Sequence, residues 1–330
     1  MFFRSVAFAL SILSAPTFAY ANSTEYPVTV DNCGQSLTIK EQPQHAVFHD
    51  INMTEMALAL GLEDHMAGVT GITGWYKLSP SFEQALGNIP ELAPKYPSLE
   101  TLIAAETDFF FAGWNYGMKI GGEVTPQTLK PYGIDTLILS ESCIHTHDNK
   151  PAQSASMDLL YKDIAKLGVI FDQQAKAQSL IAAWQEKVAS VTDRAEATDD
   201  QKPKVFLYDS GQDKPFTAGK YAMPTAMIAA AGGHNITSNM PTSWGTTSWE
   251  NVANANPDVI ILLDYQTASG ADALQAFLEQ HPLMQHTDAV QSKRYVKLRY
   301  EQLTPGPANI EAIEKLSQAF FPEQGDNEPQ

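Results

Sequence analysis

The chain has 330 residues, enough for two lobes of ordinary size, and its 44% hydrophobic and 10% aromatic content is that of a globular protein with packed cores. Formal net charge is −17, and past residue 21 only Arg194, Arg294 and Arg299 carry a guanidinium. That balance excludes nucleic-acid binding through a basic surface and disfavours a strongly anionic small ligand.

Residues 1–21 read as a secretory signal: Arg4, an apolar run over 6–13, and the small-x-small site Ala19-Tyr20-Ala21. The mature chain is expected to start at Asn22 and to be free in the periplasm of a Gram-negative cell, since no Cys lies near the cleavage site to carry a lipid. No later stretch reaches the roughly 18 apolar residues of a membrane span.

Residues 22–150 form the expected N-terminal lobe. A β-hairpin over 26–39 is followed by a strand over 46–48 that ends at His49-Asp50, and by a helix over 54–60 that Gly61 closes. Strands follow over 66–69, from Phe109, and over 136–139. The helices between them imply a mostly parallel sheet. The two cysteines, Cys33 and Cys143, are read in an exported chain first as a disulfide, which would close a loop of about 110 residues. The alternative is two separate buried thiols.

Residues 151–202 form a helical segment. A helix over 157–167 is broken at Gly168, and one long helix over 172–197 follows, with Asp172 as its N-cap. Apolar residues at Ala177, Leu180, Ile181, Trp184, Val188 and Val191 share one face. At about 1.5 Å per residue the helix reaches roughly 38 Å, long enough to run between two lobes. Residues 203–330 form the C-terminal lobe, with strands over 205–208, from Val259 and over 295–298, and a last helix over 310–320.

An internal match supports two similar lobes. Ser98-Leu99-Glu100 and Asp108 precede the strand Phe109-Phe110-Phe111; Ser248-Trp249-Glu250 and Asp258 precede Val259-Ile260-Ile261 at the same offsets. Each Ser can cap a short helix whose first turn holds the Glu, where the helix dipole favours an anion. The fold class is therefore α/β: two lobes with mostly parallel sheets joined by one long α-helix.

Ligands of open α/β sheets bind beyond the carboxyl ends of the strands. That rule selects His49, Asp50, Trp75, Tyr76, Trp114, Tyr116, Glu141 and His145 from the first lobe. From the second it selects Tyr208, Phe216, Tyr221, Trp244, Tyr265, Arg299 and Tyr300. The set is dense in Trp and Tyr, whose flat faces with polar tips suit a large, partly apolar ligand. His49, His145 and His147, with Asp50 and Glu141, form a weaker candidate for direct metal ligation. No motif for nucleophilic, phosphate-loop or zinc-protease chemistry is present, so no catalytic residue and no cofactor are assigned.

At these residues the chain resembles the periplasmic binding proteins of ABC importers for ferric siderophores, haem and vitamin B12, whose lobes are joined by one long helix. Four stretches carry the resemblance: 46–61 with Asn52-Met53-Thr54-Glu55; the two Ser-x-Glu elements; Val205-Phe206-Leu207 with Pro215-Phe216-Thr217-Ala218-Gly219-Lys220; and Ala231-Gly232-Gly233-His234-Asn235-Ile236. It departs from catecholate binders, whose clefts commonly use several arginines, since only Arg299 stands at a strand end. The resemblance implies a monomeric receptor that captures a metal chelate, a ferric siderophore first and cobalamin or haem next, and hands it to the permease dimer of an inner-membrane ABC importer. It also implies that Glu100 and Glu250 dock on that importer. Two alternatives stand beside it: capture of a free transition-metal ion, and a metal-dependent enzyme on the same scaffold.

Overall fold

The computed structural model describes residues 23–74, 76–146, 154–197, 201–265 and 270–322. Trp75 and His147, and the residues read as a signal peptide, lie outside these. Among the described residues no helix is long and apolar enough to cross a membrane.

The first lobe opens on the hairpin β1 (Val28–Asn32) and β2 (Gln35–Ile39). β3 (Ala46–His49) is buried throughout and feeds α1 (Ile51–Leu60) through Asp50, which caps it. The helix starts three residues earlier than the apolar pattern suggests, because the Asp50 carboxylate accepts the Ile51 N–H at 2.9 Å. Then come β4 (Met66–Thr70), α2 (Pro80–Leu86), β5 (Glu91–Ala93) and α3 (Leu99–Ala104). β6 (Phe109–Trp114), β7 (Gly117–Met118), α4 (Pro126–Leu129) and β8 (Asp135–Ile138) follow. The sheet runs β5-β4-β3-β6, with β8 on the free edge of β6 and β7 at its end, and every named pairing in it is parallel. Cys33, in the hairpin turn, is bonded to Cys143, just past β8, with their Cα atoms 5.2 Å apart.

The helical segment corrects two expectations. α5 (Asp158–Ile170) is not broken at Gly168. A Cβ there would lie 2.5 Å from the Ala177 Cβ, so the glycine lets the next helix pack against α5 rather than ending it. That next helix, α6 (Gln174–Glu196), has 23 residues and is not capped by Asp172. Asp172 sits at φ 56° and accepts the Thr24 N–H at 2.5 Å instead. Near its start α6 packs on α5; near its end Thr192 Oγ1 donates to the Ala230 carbonyl at 2.9 Å and Lys187 pairs with Glu314 at 2.8 Å. Its apolar face, Leu180, Ile181, Trp184 and Val188, lies half-buried on a core that runs through both lobes.

The second lobe contains β9 (Lys204–Tyr208), β10 (Phe216–Ala218), α7 (Met223–Ala230), β11 (His234–Asn235) and β12 (Trp244–Thr246). It continues with α8 (Trp249–Ala255), β13 (Val259–Asp264), α9 (Gly270–Gln280), α10 (Asp288–Gln291), β14 (Tyr295–Arg299) and α11 (Asn309–Phe320). Its main sheet is parallel in the order β11-β9-β13-β14, and β10 pairs with β12 antiparallel. The predicted repeat is present in full. Ser98 Oγ accepts the Thr101 N–H at 3.1 Å at the head of α3, and Ser248 Oγ accepts the Asn251 N–H at 3.2 Å at the head of α8.

Candidate ligand cleft between the lobes

The carboxyl ends of β3 and β14 meet at one carboxylate. Asp50 is 2% exposed and holds φ 71°, a left-handed backbone that a non-glycine residue adopts only when its surroundings compel it. Its Oδ2 accepts the hydroxyls of Tyr76 at 3.2 Å and of Tyr300, from the second lobe, at 2.9 Å. The two tyrosine rings stack with centroids 4.1 Å apart. Burial pushes the Asp50 carboxyl up to about 7, against the hydrogen bonds from Ile51, Tyr300 and Tyr76. Burial, with the Asp50 charge adding to it, also lifts both phenols well above their usual range, so they stay protonated as donors.

His49 lies under this floor. Its ring is 1% exposed, Nδ1 pairs with Thr70 Oγ1 at 2.8 Å, and Tyr96 meets it edge-on at 5.2 Å. Gly71 and Gly117 hold positive φ, and a Cβ on either would come within 2.6 Å of the imidazole. Burial pushes the ring down to about 3, so it is neutral and packed rather than open to a ligand.

A second carboxylate bridges the lobes. Glu141 is 4% exposed, and its Oε1 accepts the Met223 N–H, which opens α7, at 3.2 Å and the Ser243 hydroxyl at 3.0 Å. Among the described residues its Oε2 is buried without a partner. Burial pushes this carboxyl up to about 7, against those two hydrogen bonds. Further crossings are Asn52 Nδ2 to the Pro305 carbonyl at 2.7 Å and the partly exposed pair Lys77–Asp264 at 3.1 Å.

Between these bridges lies a cavity of about 310 Å³. The first lobe lines it with Asn115, Tyr116 and His145; the second with Asp209, Phe216, Trp244, Leu263, Tyr300, Leu303 and Thr304. Phe216 and Trp244 are stacked, with centroids 6.1 Å apart. A larger groove of about 650 Å³ lies at the amino-terminal end of β8, takes nothing from the second lobe and is not a candidate for an interlobe ligand.

Tyr116, His145, Phe216, Trp244 and Tyr300 thus come together around the cavity, with Tyr76 stacked behind Tyr300. The other sequence candidates fall elsewhere. Tyr208 is 1% exposed and turns into the second lobe's core beside Phe206, Trp249 and Phe277. Trp114 is packed in the first lobe's core and edges a separate pocket of about 430 Å³ next to Cys33. Tyr221 is half-buried with the Lys220 ammonium 5.6 Å over its ring, outside the cavity lining. Arg299 is tied to Glu301 by its Nε, with Glu55 and Glu311 also near, so its guanidinium is spent on acids and does not line the cavity. Among the described residues no three His, Cys, Asp or Glu side chains converge as a metal site. Asn115, Asp209, Leu263, Leu303 and Thr304 also line it and are not among the strand-end candidates. Asp209 carried a signal, since it is the first residue past β9 and alternation turns it away from the core that takes Tyr208.

Comparison with known proteins gives four findings of the same kind. A family model described as periplasmic binding protein matches residues 49–301. An uncharacterized ABC transporter substrate-binding lipoprotein of Bacillus subtilis is 24% identical over 301 residues, covering 90% of this chain and 87% of that one; a cobalamin-binding protein of Halobacterium salinarum is 22% identical over 303 residues, covering 89% and 74%. A solved structure from an ABC-type Fe3+-hydroxamate transport system of Saccharomonospora viridis superposes with a TM-score of 0.75 at 22% identity, over 90% of this chain and 99% of that one.

Proposed function

This chain belongs to the periplasmic binding protein family, and on that premise we propose that it binds a metal chelate between its lobes and delivers it to an inner-membrane ABC importer. The observation that carries the proposal is the cavity itself. Both lobes line it, Tyr116, Trp244, Phe216 and Tyr300 give it broad aromatic walls, and Asn115 and Thr304 add a few polar groups. That is the make-up of a site for a large, partly apolar molecule. Two relatives support the class of cargo by what their names say they handle, cobalamin in one and Fe3+-hydroxamate in the other. A ferric siderophore is the first candidate and a corrinoid the second. The protein acts as a monomer outside the cytoplasm, in the periplasm, after loss of residues 1–21.

Delivery rests on Glu100 and Glu250. Both are exposed in the first turns of α3 and α8, one on each lobe, at matched points behind matched serine caps. Hydrogen bonds from its own backbone N–H and from Ser98 hold the Glu100 carboxyl below the usual range, so it stays ionised while exposed. Such a pair can face two cationic sites on a permease dimer without any desolvated charge in the free protein.

The direct test is calorimetry with a ferric trihydroxamate, cyanocobalamin and haemin, set against bare Fe3+ and Zn2+. One chelate should bind with 1:1 stoichiometry and the bare ions should not. Binding of a bare ion with no chelate bound would contradict the proposal.

A further inference from the structure

The walls of the cavity carry one acid and no lysine or arginine among the described residues. The one histidine among them, His145, is pushed down by burial and so is neutral above pH 7. Asp209 is the acid. It stands just past β9; its backbone N–H donates to the Phe216 carbonyl at 3.1 Å, and Ser210 Oγ donates to its Oδ1 at 2.5 Å. It has no ion-pair partner among the described residues, in contrast to Asp264, Asp163 and Glu301, which each hold a cation. The stacked Phe216 and Trp244 rings line the same cavity, and aromatic rings attract cations as well as apolar surface.

We propose that Asp209 sets the charge selectivity of this cavity: it admits neutral or cationic chelates, seats a cationic or hydrogen-bond-donating group of the ligand against its carboxylate, and rejects anionic chelates. The proposal rests on the reading of the cavity as the chelate site and narrows it. A haem with two propionates, or a ferric tris-catecholate carrying three negative charges, would bring unpaired anions into a wall with no cationic side chain among the described residues. A buried anion without a partner is strongly disfavoured. A ferric trihydroxamate bearing a free ammonium, or a corrinoid whose periphery is neutral amides, has no such conflict and offers donors to Asp209. Burial lifts the Asp209 carboxyl to about 6 while the Ser210 hydroxyl pulls it down, so it is mostly ionised at pH 7.5 before any ligand arrives. A cation seated there would hold it ionised.

The experiment uses matched pairs that differ in one charge, at pH 7.5, on the mature wild-type protein and on Asp209→Asn. One pair is a linear ferric trihydroxamate with a free primary amine and its N-acetyl form. The other is cyanocobalamin and its monocarboxylic acid. On whichever scaffold binds, the more positive member should bind about tenfold more tightly to wild type, and Asp209→Asn should bring the ratio to about one. A charge-assisted hydrogen bond is of the size that gives such a ratio. Haemin and a ferric tris-catecholate should bind at least about a hundredfold more weakly than the better scaffold, by the cost of an unpaired buried charge. Equal binding within both pairs by wild type, or tight binding of the tris-catecholate, would overturn the charge selectivity and leave chelate binding standing. Failure of every chelate to bind would overturn chelate binding itself, and the selectivity with it. If Asp209→Asn does not fold, the wild-type ratios decide the question alone.

Discussion

Two adjacent residues, Tyr208 and Asp209, show how finely the site is drawn. Both stand where a strand of a parallel sheet ends, and strand-end position alone picks out the larger, aromatic one. The pleat assigns them oppositely, Tyr208 to the core and Asp209 to the cavity. Position in sequence located the cleft's neighbourhood; it did not say which face each side chain takes, because strand ends are uncertain by a residue and each residue reverses the face. The buried carboxylates at the lobe boundary give a pH test. Asp50 and Glu141 are each pushed up to about 7 by burial, and Glu55 to about 8 by burial and by the Glu301 charge. A carboxyl raised in the fold binds protons there that the unfolded chain has already released. Its contribution is therefore full below the ordinary carboxylate range and is lost as pH rises through 7 to 8. His49, pushed down to about 3, acts in the opposite sense, but only below the ordinary histidine value near 6.5. Between pH 6.5 and 8 the acids act alone, and the melting temperature should fall across that window. Glu55→Gln with Glu141→Gln should flatten the slope, and a melting temperature that rises from pH 6.5 to 8 would contradict these assignments. Tyr300→Phe removes one of the two hydroxyls on Asp50 and one bond between lobes, and should cost about 1 kcal/mol by denaturant titration.

At the scale of elements, the capped helices α3 and α8 were legible because a serine, a glutamate and a buried strand recur at fixed offsets. The long helix was legible from its apolar stripe. The end of α5 was not. A glycine near the end of a helical pattern ordinarily signals a C-cap, but Gly168 is a contact glycine, set where α6 crosses, and only the tertiary approach of Ala177 reveals it. Gly168→Val should destabilise the protein by about 1–3 kcal/mol through overpacking at this crossing, measured by thermal or urea unfolding. A neutral result would mean the crossing is loose and α6 is not fixed to the first lobe. The Cys33–Cys143 bridge ties the hairpin turn to the segment after β8 across 110 residues of chain. By the loop-entropy relation the double replacement Cys33→Ser, Cys143→Ser should cost about 4–5 kcal/mol. Labelling of denatured, unreduced wild-type protein should find no free thiol.

Over the whole molecule, the two-lobed plan followed from the internal repeat and the helix between its copies, whereas the cavity did not. Its walls draw on residues nearly two hundred positions apart, from Asn115 to Thr304, which only the docking of the lobes assembles. That docking is fixed by α6 and by the bridges at Asp50 and Glu141, so ligand addition should change the radius of gyration in solution only slightly. A large contraction by X-ray scattering would argue for a free hinge. Charge reversal at both lobes, Glu100→Arg with Glu250→Arg, should leave chelate affinity nearly unchanged while weakening binding to the reconstituted importer, most at low salt where exposed charges are least screened. Wild-type importer binding by that double variant would leave the two glutamates with a capping-turn role alone. The central claim, a metal chelate held between the lobes, is tested most directly by native mass spectrometry and visible absorbance of the protein taken from the periplasm of cells grown with their own chelates. The expected result is one metal chelate per chain, neutral or cationic, and its loss in a Trp244→Ala, Tyr300→Ala variant that remains folded. A wild-type protein that emerges bare from chelate-replete cells, or carrying a sugar, peptide or uncomplexed metal ion, would contradict it.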